Sequence, residues 1–247
     1  ADRTVELTWT EPPGWDGLRV VLLLGAWADD RPSGRLSLAR RLAAGGVATL
    51  IPETPFHGSR RGARARAGGS PIRRVLDHAL LTRAAVLEAA GLLEHLHAAG
   101  VTPTVAGFSM GASHAGAVAA LSPRPVAAAL FAVGHSTTVP FLDGILHRAI
   151  AWPALGGRRR AEPRLRELLG HICHFALPTP AASERILLAG ARSDAYIPAA
   201  AIGRLAERWP DARVTWRAGG HVSMWLMDRR WIAERILEVA RSKSEAA

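Results

Sequence analysis

The 247-residue chain contains a single cysteine, Cys173, and a single lysine, Lys243. A lone cysteine closes no intrachain disulfide and builds no cysteine-rich zinc site. It falls in a stretch of helical pattern, where a buried structural thiol is its expected role. No apolar run approaches the roughly 18 residues of a membrane span. Residues 20–28 form the purest such run and are far too short. A glycine-rich phosphate loop is missing, and so is any histidine group with ligand spacing. His95 and His97 point to different faces of one helix, and His171 and His174 have no carboxylate or third ligand beside them. No metal and no cofactor are expected. No charged-then-apolar leader stands at the N-terminus; a cytoplasmic location is expected, with a leader already removed as the alternative.

Acidic residues are also scarce: 21 against 31 basic ones, a formal charge of +10. Arginine replacing lysine throughout is what a biased coding composition produces, and that needs no site. The alternative is a surface that attracts anionic partners, an anionic membrane above all. No nucleic-acid partner is expected. The chain is 49% hydrophobic, which excludes disorder, and its length suits one α/β domain better than two.

Residues 5–10 alternate apolar and polar, as an edge strand does. Residues 18–24, 47–51, 104–108, 126–133 and 186–191 are short apolar runs of the kind buried on both sheet faces, and 213–217 reads as a further strand. Between them, residues 36–44, 77–99, 110–121, 199–208 and 229–241 carry helical periodicity. Strands alternating with helices predict an α/β fold, a mostly parallel sheet with helices on both faces. Residues 54–76 hold six arginines and no acid and read as an exposed loop. Residues 136–180 interrupt the rhythm as a partly helical insertion after the strand at 126–133. The domain reading is therefore 1–247 as one unit, with a cap at about 136–180.

In such sheets chemistry collects beyond the carboxyl ends of the strands. Gly107-Phe108-Ser109-Met110-Gly111 is the only G-x-S-x-G in the chain, and it joins a strand to a helix. That is the setting of a nucleophile elbow, whose sharp turn requires small flanking residues and lifts the serine above the sheet. The competing role for Ser109 is a helix N-cap. A nucleophilic serine needs a base, and the base needs an orienting acid. Asp194 follows the strand at 186–191 and His221 follows the strand at 213–217, in the order Ser, Asp, His. Asp143 is the alternative acid if that group follows the preceding strand.

The oxyanion of a tetrahedral intermediate needs two donors. The backbone N–H of Met110 is the first, and Ala26 or Trp27, in the loop after the first buried strand, supplies the second. Phe108, His57, His135 and Arg60 are candidate substrate-binding residues, with Arg60 and Arg61 placed to meet an anionic head group. His57 has solvated loop as its alternative. Leu142, Ile145, Leu146, Ile150, Trp152 and Leu155 in the insertion supply apolar wall for an acyl chain, or ordinary core.

Blocks spread along the chain resemble one family. They are Pro52-Glu53-Thr54-Pro55-Phe56-His57-Gly58-Ser59-Arg60, the elbow, Trp152, Ser193-Asp194-Ala195-Tyr196-Ile197-Pro198, Trp209-Pro210 and Gly219-Gly220-His221-Val222-Ser223. Their order and spacing are similar to those of the alpha/beta hydrolase domain-containing 18 type of α/β-hydrolase, from about residue 18 to 240. The resemblance implies the α/β-hydrolase fold, triad positions at Ser109, Asp194 and His221, and hydrolysis of acyl-lipid esters. Two departures stand out. His57 occupies a position where relatives tend to carry an aromatic, and the loop at 25–29 is poorer in glycine than theirs.

The sequence thus predicts a serine hydrolase that needs no cofactor and cleaves a carboxylic ester or thioester of a small molecule or lipid. An acyltransferase would share the acyl-enzyme and differ in the acceptor. A non-catalytic arginine-rich scaffold for lipid or nucleic acid would show salt-dependent binding and no covalent chemistry at Ser109.

Overall fold

The computed structural model describes residues 6–61 and 74–242. Seven strands form one sheet: β1 (Leu7–Thr10), β2 (Arg19–Leu24), β3 (Ala48–Pro52), β4 (Thr102–Phe108), β5 (Ala127–Phe131), β6 (Ile186–Ala191) and β7 (Arg213–Arg217). Their spatial order is β1-β3-β2-β4-β5-β6-β7. β1 runs antiparallel to β3 at one edge, and every other pairing is parallel. The helices are α1 (Ser33–Ala44), α2 (Val75–Ala98), α3 (Met110–Leu121), α4 (Arg158–Gly170), α5 (Ala199–Arg208), α6 (His221–Met227) and α7 (Arg229–Arg241).

The period-two alternation of side chains divides each strand between two cores. Val20, Leu22 and Leu24 of β2 join one cluster with residues of α2, α3 and α5. Val21 and Leu23 join the other, against α1 and α7. Because both faces are covered, the central strands are continuous apolar runs, and each fully buried leucine contributes roughly 1.5–3 kcal/mol.

α3 lies closest to the sheet, and its composition explains why. A Cβ at Gly111 would stand 2.4 Å from the Leu24 carbonyl oxygen and one at Gly107 would stand 2.3 Å from the Gly111 backbone. Only glycine permits that approach, which sets the N-terminus of α3 directly over the end of β4.

Residues 136–180 form irregular turns followed by α4. Leu142, Leu165 and Leu169 make a small core of their own, with Phe141, Ile150 and Trp152 packed on it. Cys173 corrects one expectation. It lies beyond α4, in an isolated bridge to Ser136, and is only partly buried; its thiol donates to the His135 carbonyl at 3.2 Å. Of the arginine loop expected at 54–76, residues 62–73 lie outside the described residues. Residues 54–61 are packed against the protein, with His57 wholly buried. The short helix α6 has no counterpart among the sequence expectations. Among the described residues no helix is long and apolar enough to cross a membrane.

Candidate active site

β4, β6 and β7 are parallel, so the residues that follow them emerge at one end of the sheet. Ser109 follows β4 directly, with φ +55° and ψ −120°. A non-glycine residue in that region costs on the order of 1–3 kcal/mol and persists only where its surroundings enforce it. Here the Ser109 N–H donates to the Phe131 carbonyl at 2.8 Å, and the Ser113 N–H returns to the Ser109 carbonyl at 3.1 Å. Ser109 sits at the N-cap position of α3, yet its side chain makes no capping hydrogen bond. Its hydroxyl is left for other work.

Asp194 follows β6 and its carboxylate is completely shielded. One oxygen accepts from the Tyr196 and Ile197 N–H groups at 2.7 and 2.8 Å, and the other lies 2.7 Å from His221 Nδ1. Three bonds fix the carboxylate and, with it, the imidazole. A carboxylate at Nδ1 keeps the proton on that nitrogen and leaves the Nε2 lone pair free. The two loops are also tied through their backbones, since the Ser193 N–H donates to the Gly219 carbonyl at 2.9 Å. Ser223 Oγ accepts from the Gly220 N–H at 2.9 Å and starts α6, whose first residue is His221.

The His221 ring is held between two aromatics. Tyr196 stacks on it at a centroid distance of 4.7 Å, and Phe108 meets it edge-on at 4.9 Å. Phe108, expected to touch substrate, is instead buried beneath the imidazole. As the residue before Ser109, it also ties the His221 ring to the strand–helix turn at Ser109. Tyr196 as an imidazole support was missed by sequence reasoning; its spacing of two from Asp194 was the available signal. Asp143 is not at this site: its exposed carboxylate pairs with Arg166 at 2.9 Å.

Residues 25–30 curve past the elbow. The Asp29 N–H donates to the Ala26 carbonyl at 3.3 Å and the Ala28 N–H to His57 Nε2 at 3.1 Å. The N–H groups of Ala26 and Trp27 have no acceptor among the described residues, and Met110, opening α3, has the orphan N–H of a helix N-terminus. Trp27 and Met110 line the same cavity as Ser109, whereas Ala26 does not. Three contacts hold this loop from below. His57 accepts from Ala28 while its Nδ1 bonds the Pro55 carbonyl at 2.9 Å. Buried Arg35 pairs with Asp29 at 2.6 Å and donates to the Pro52 carbonyl at 2.8 Å. Asp30 accepts from the Gly58 N–H and pairs with Arg61 at 2.7 Å. Burial lowers the His57 pKa, which suits an imidazole whose Nε2 must stay unprotonated to accept.

The cavity beside Ser109 has a volume of about 390 Å³. Trp27, Val86, Phe141, Leu146 and Ile172 give it an apolar wall, with His78, His114 and His174 among them. Of the apolar insertion residues expected there, Leu146 reaches it, while Leu142, Ile150 and Trp152 belong to the insertion's own core. His57 lies under the loop at residues 25–30 and not on the cavity wall. His135 is also off the wall, stacked on Phe175 at 4.9 Å. Arg60, expected to meet a head group, makes a two-point pair with Glu88 at 2.6 and 2.7 Å. No cluster of three His, Cys, Asp or Glu side chains fit for a metal occurs among the described residues.

The sheet order, the strained serine between strand and helix, and the Asp–His pair beyond later strands define the α/β-hydrolase fold. Within it, the family model of alpha/beta hydrolase domain containing 18 matches residues 2–176 and 163–241, and the chain belongs to that family. No curated protein matches the chain. Solved structures share the fold. TT1662 from Thermus thermophilus is 18% identical at a TM-score of 0.68, covering 96% of this chain and 94% of that one. Est1E from Butyrivibrio proteoclasticus, with ferulic acid bound, is 14% identical at 0.63, with coverages of 95% and 93%. A cold-adapted esterase from an Arctic intertidal metagenomic library is 17% identical at 0.55, with coverages of 94% and 89%.

Proposed function

We propose that the protein is a serine hydrolase cleaving a carboxylic ester or thioester, of a small molecule or a lipid, through an acyl-enzyme. The observation that carries this reading is the shielded Asp194 carboxylate 2.7 Å from His221 Nδ1, with that ring packed on the residue before a strained serine. Ser109 Oγ attacks the carbonyl carbon while His221 Nε2 takes its proton. The imidazolium formed is stabilised by Asp194 and returns the proton to the leaving group. Water then enters and attacks the acyl carbon as His221 Nε2 takes its proton; collapse of the intermediate breaks the bond to Ser109 Oγ, which takes the proton back from His221 as the acid leaves. The oxyanion of each tetrahedral intermediate is received by the N–H of Met110 and that of Trp27 or Ala26, at the positive end of α3. Residues 136–180 act as the cap, bringing Phe141 and Leu146 to the acyl pocket. The esterase named among the similar structures favours the same class of reaction.

A fluorophosphonate probe tests the reading directly. Intact mass is expected to rise by one probe adduct, and peptide mapping is expected to place it on Ser109. Folded protein that takes up no adduct, or takes it elsewhere, would refute the assignment.

His57 supplies a second expectation. Phenylalanine at that position removes the acceptor for the Ala28 N–H and frees the loop that carries the second oxyanion donor. Displacing a catalytic group by about 1 Å can cost on the order of 100-fold. His57→Phe is therefore expected to lower kcat by roughly 10- to 100-fold with little change in KM. A rise in KM alone would show that residues 25–30 bind substrate without stabilising the transition state.

A further inference from the structure

The wall of the Ser109 cavity contains polar groups that the proposed triad does not use. His78, His114 and His174 are 6%, 2% and 5% exposed, and all three line it. None of their side chains hydrogen-bonds to the protein among the described residues. Both ring nitrogens of His78, Nδ1 of His174 and Oγ1 of Thr82 are shielded and unpartnered. His78 and Thr82 are four residues apart on α2, hence on one face, and Thr82 also lines the cavity. The His78 ring packs against both Trp27 and Phe141, at centroid distances of 6.2 and 5.6 Å, and those two rings meet each other at 5.5 Å.

A purely hydrocarbon acyl chain would leave every one of these atoms unpaired. Three leucines in their place would serve such a chain better. Burial also keeps the rings uncharged, with pKa values pushed down to about 4, about 3 and about 4. A neutral imidazole offers one donor and one acceptor, which matches a hydroxyl or a carbonyl, and by itself it gives a carboxylate no counter-charge; Arg83, an exposed residue of α2, also lines the cavity.

We propose that this cavity receives an acyl group bearing an uncharged hydrogen-bonding function, a hydroxyl or a carbonyl, away from the ester carbon, and that His78, His114, His174 and Thr82 recognise it. The inference rests on Ser109 being the nucleophile and names the substrate class for that site.

The test measures kcat/KM for nitrophenyl octanoate against a series with a hydroxyl or oxo group moved along the chain from the third carbon to the end. The half-ester of octanedioic acid is the anionic comparator. At one position or more the polar ester is expected to exceed the plain one by roughly 5- to 100-fold, the scale of pairing otherwise unsatisfied groups. His78→Phe is expected to bring that ratio down toward one. Thr82→Val, nearly isosteric, is expected to reduce it if the histidine variant fails to fold. A ratio near one throughout the wild-type series, with fluorophosphonate labelling intact, overturns this inference and leaves the hydrolase standing. A preference for the half-ester overturns it in favour of an anion site near Arg83, and so does a ratio that survives both variants. No hydrolysis of any ester and no labelling overturn both readings together.

Discussion

Ser109→Ala is expected to reduce kcat for ester hydrolysis by at least about 10⁴-fold while leaving the protein folded. The two halves of that expectation have separate grounds. The loss follows from the proposed mechanism, in which the removed atom carries the acyl group. What would then remain is binding and the proposed oxyanion donors. Folding survives because the Ser109 side chain makes no capping bond and alanine tolerates the same backbone angles about as poorly as serine does. Asp194→Asn is expected to lose about as much activity. Its remaining carboxamide oxygen still accepts from the Tyr196 and Ile197 N–H groups, so the loop stays in place. At the other position an NH₂ now faces His221 Nδ1, where an acceptor stood at 2.7 Å. The imidazole then keeps its proton on Nε2, the nitrogen that must be free to act as base. Since both changes disable one machine, the double variant is expected to be little worse than either alone. Steady-state kinetics with circular dichroism checks all three. Turnover by Ser109→Ala within tenfold of wild type would show that the reaction does not pass through that hydroxyl.

The parts of this site readable from sequence are those with a local constraint. The glycines at 107 and 111 are demanded by backbone atoms closer than 3 Å, so the elbow leaves a pattern that a reader can find. Asp194 and His221 were found because each follows an apolar run at the same end of a parallel sheet. The sheet itself was legible because its strands are buried on both faces. What was not legible depends on contacts between segments distant in the chain. Nothing near His57 indicates that its ring bonds Ala28, 29 positions away, or that Arg60 finds Glu88 across 28. The same holds for His135: residues after a strand reach either the cavity or the protein behind it, and packing on Phe175 decided. α6 escaped because seven residues after two glycines are too few to show a helical period. The cavity histidines were also missed. His78 and His114 sit at helical spacing among apolar residues, and only the assembled wall shows that they share one space.

Those histidines make the protein sensitive to acid. His78, His114 and His174 have pKa values of about 4, about 3 and about 4 in the folded chain because burial disfavours the charged ring. In the unfolded chain each returns to about 6.5. Above that value both states carry neutral rings and the histidines contribute no pH dependence. Below it the unfolded state binds protons that the folded state refuses, so stability falls as pH falls. By pH 5 each ring costs about 2 kcal/mol, together about 6 kcal/mol, against a whole-domain stability of about 5–15 kcal/mol. His57, His97 and His135, whose pKa values burial also lowers, add to the loss, while Asp29, whose pKa is raised by burial, works the other way and offsets at most one proton. Urea unfolding is therefore expected to show a steep loss of stability from pH 6.5 to pH 5, with a slope near pH 5 of about two to three protons. His78→Phe is expected to lower that slope by about one proton, because it removes one refused site while keeping the ring volume. A stability that is flat over this interval would mean that the three rings are already charged or solvated in the folded protein. A slope unchanged by His78→Phe would assign the protons to other groups. In either case the wall beside Ser109 would not be the dry, neutral surface on which recognition of an uncharged polar acyl group depends.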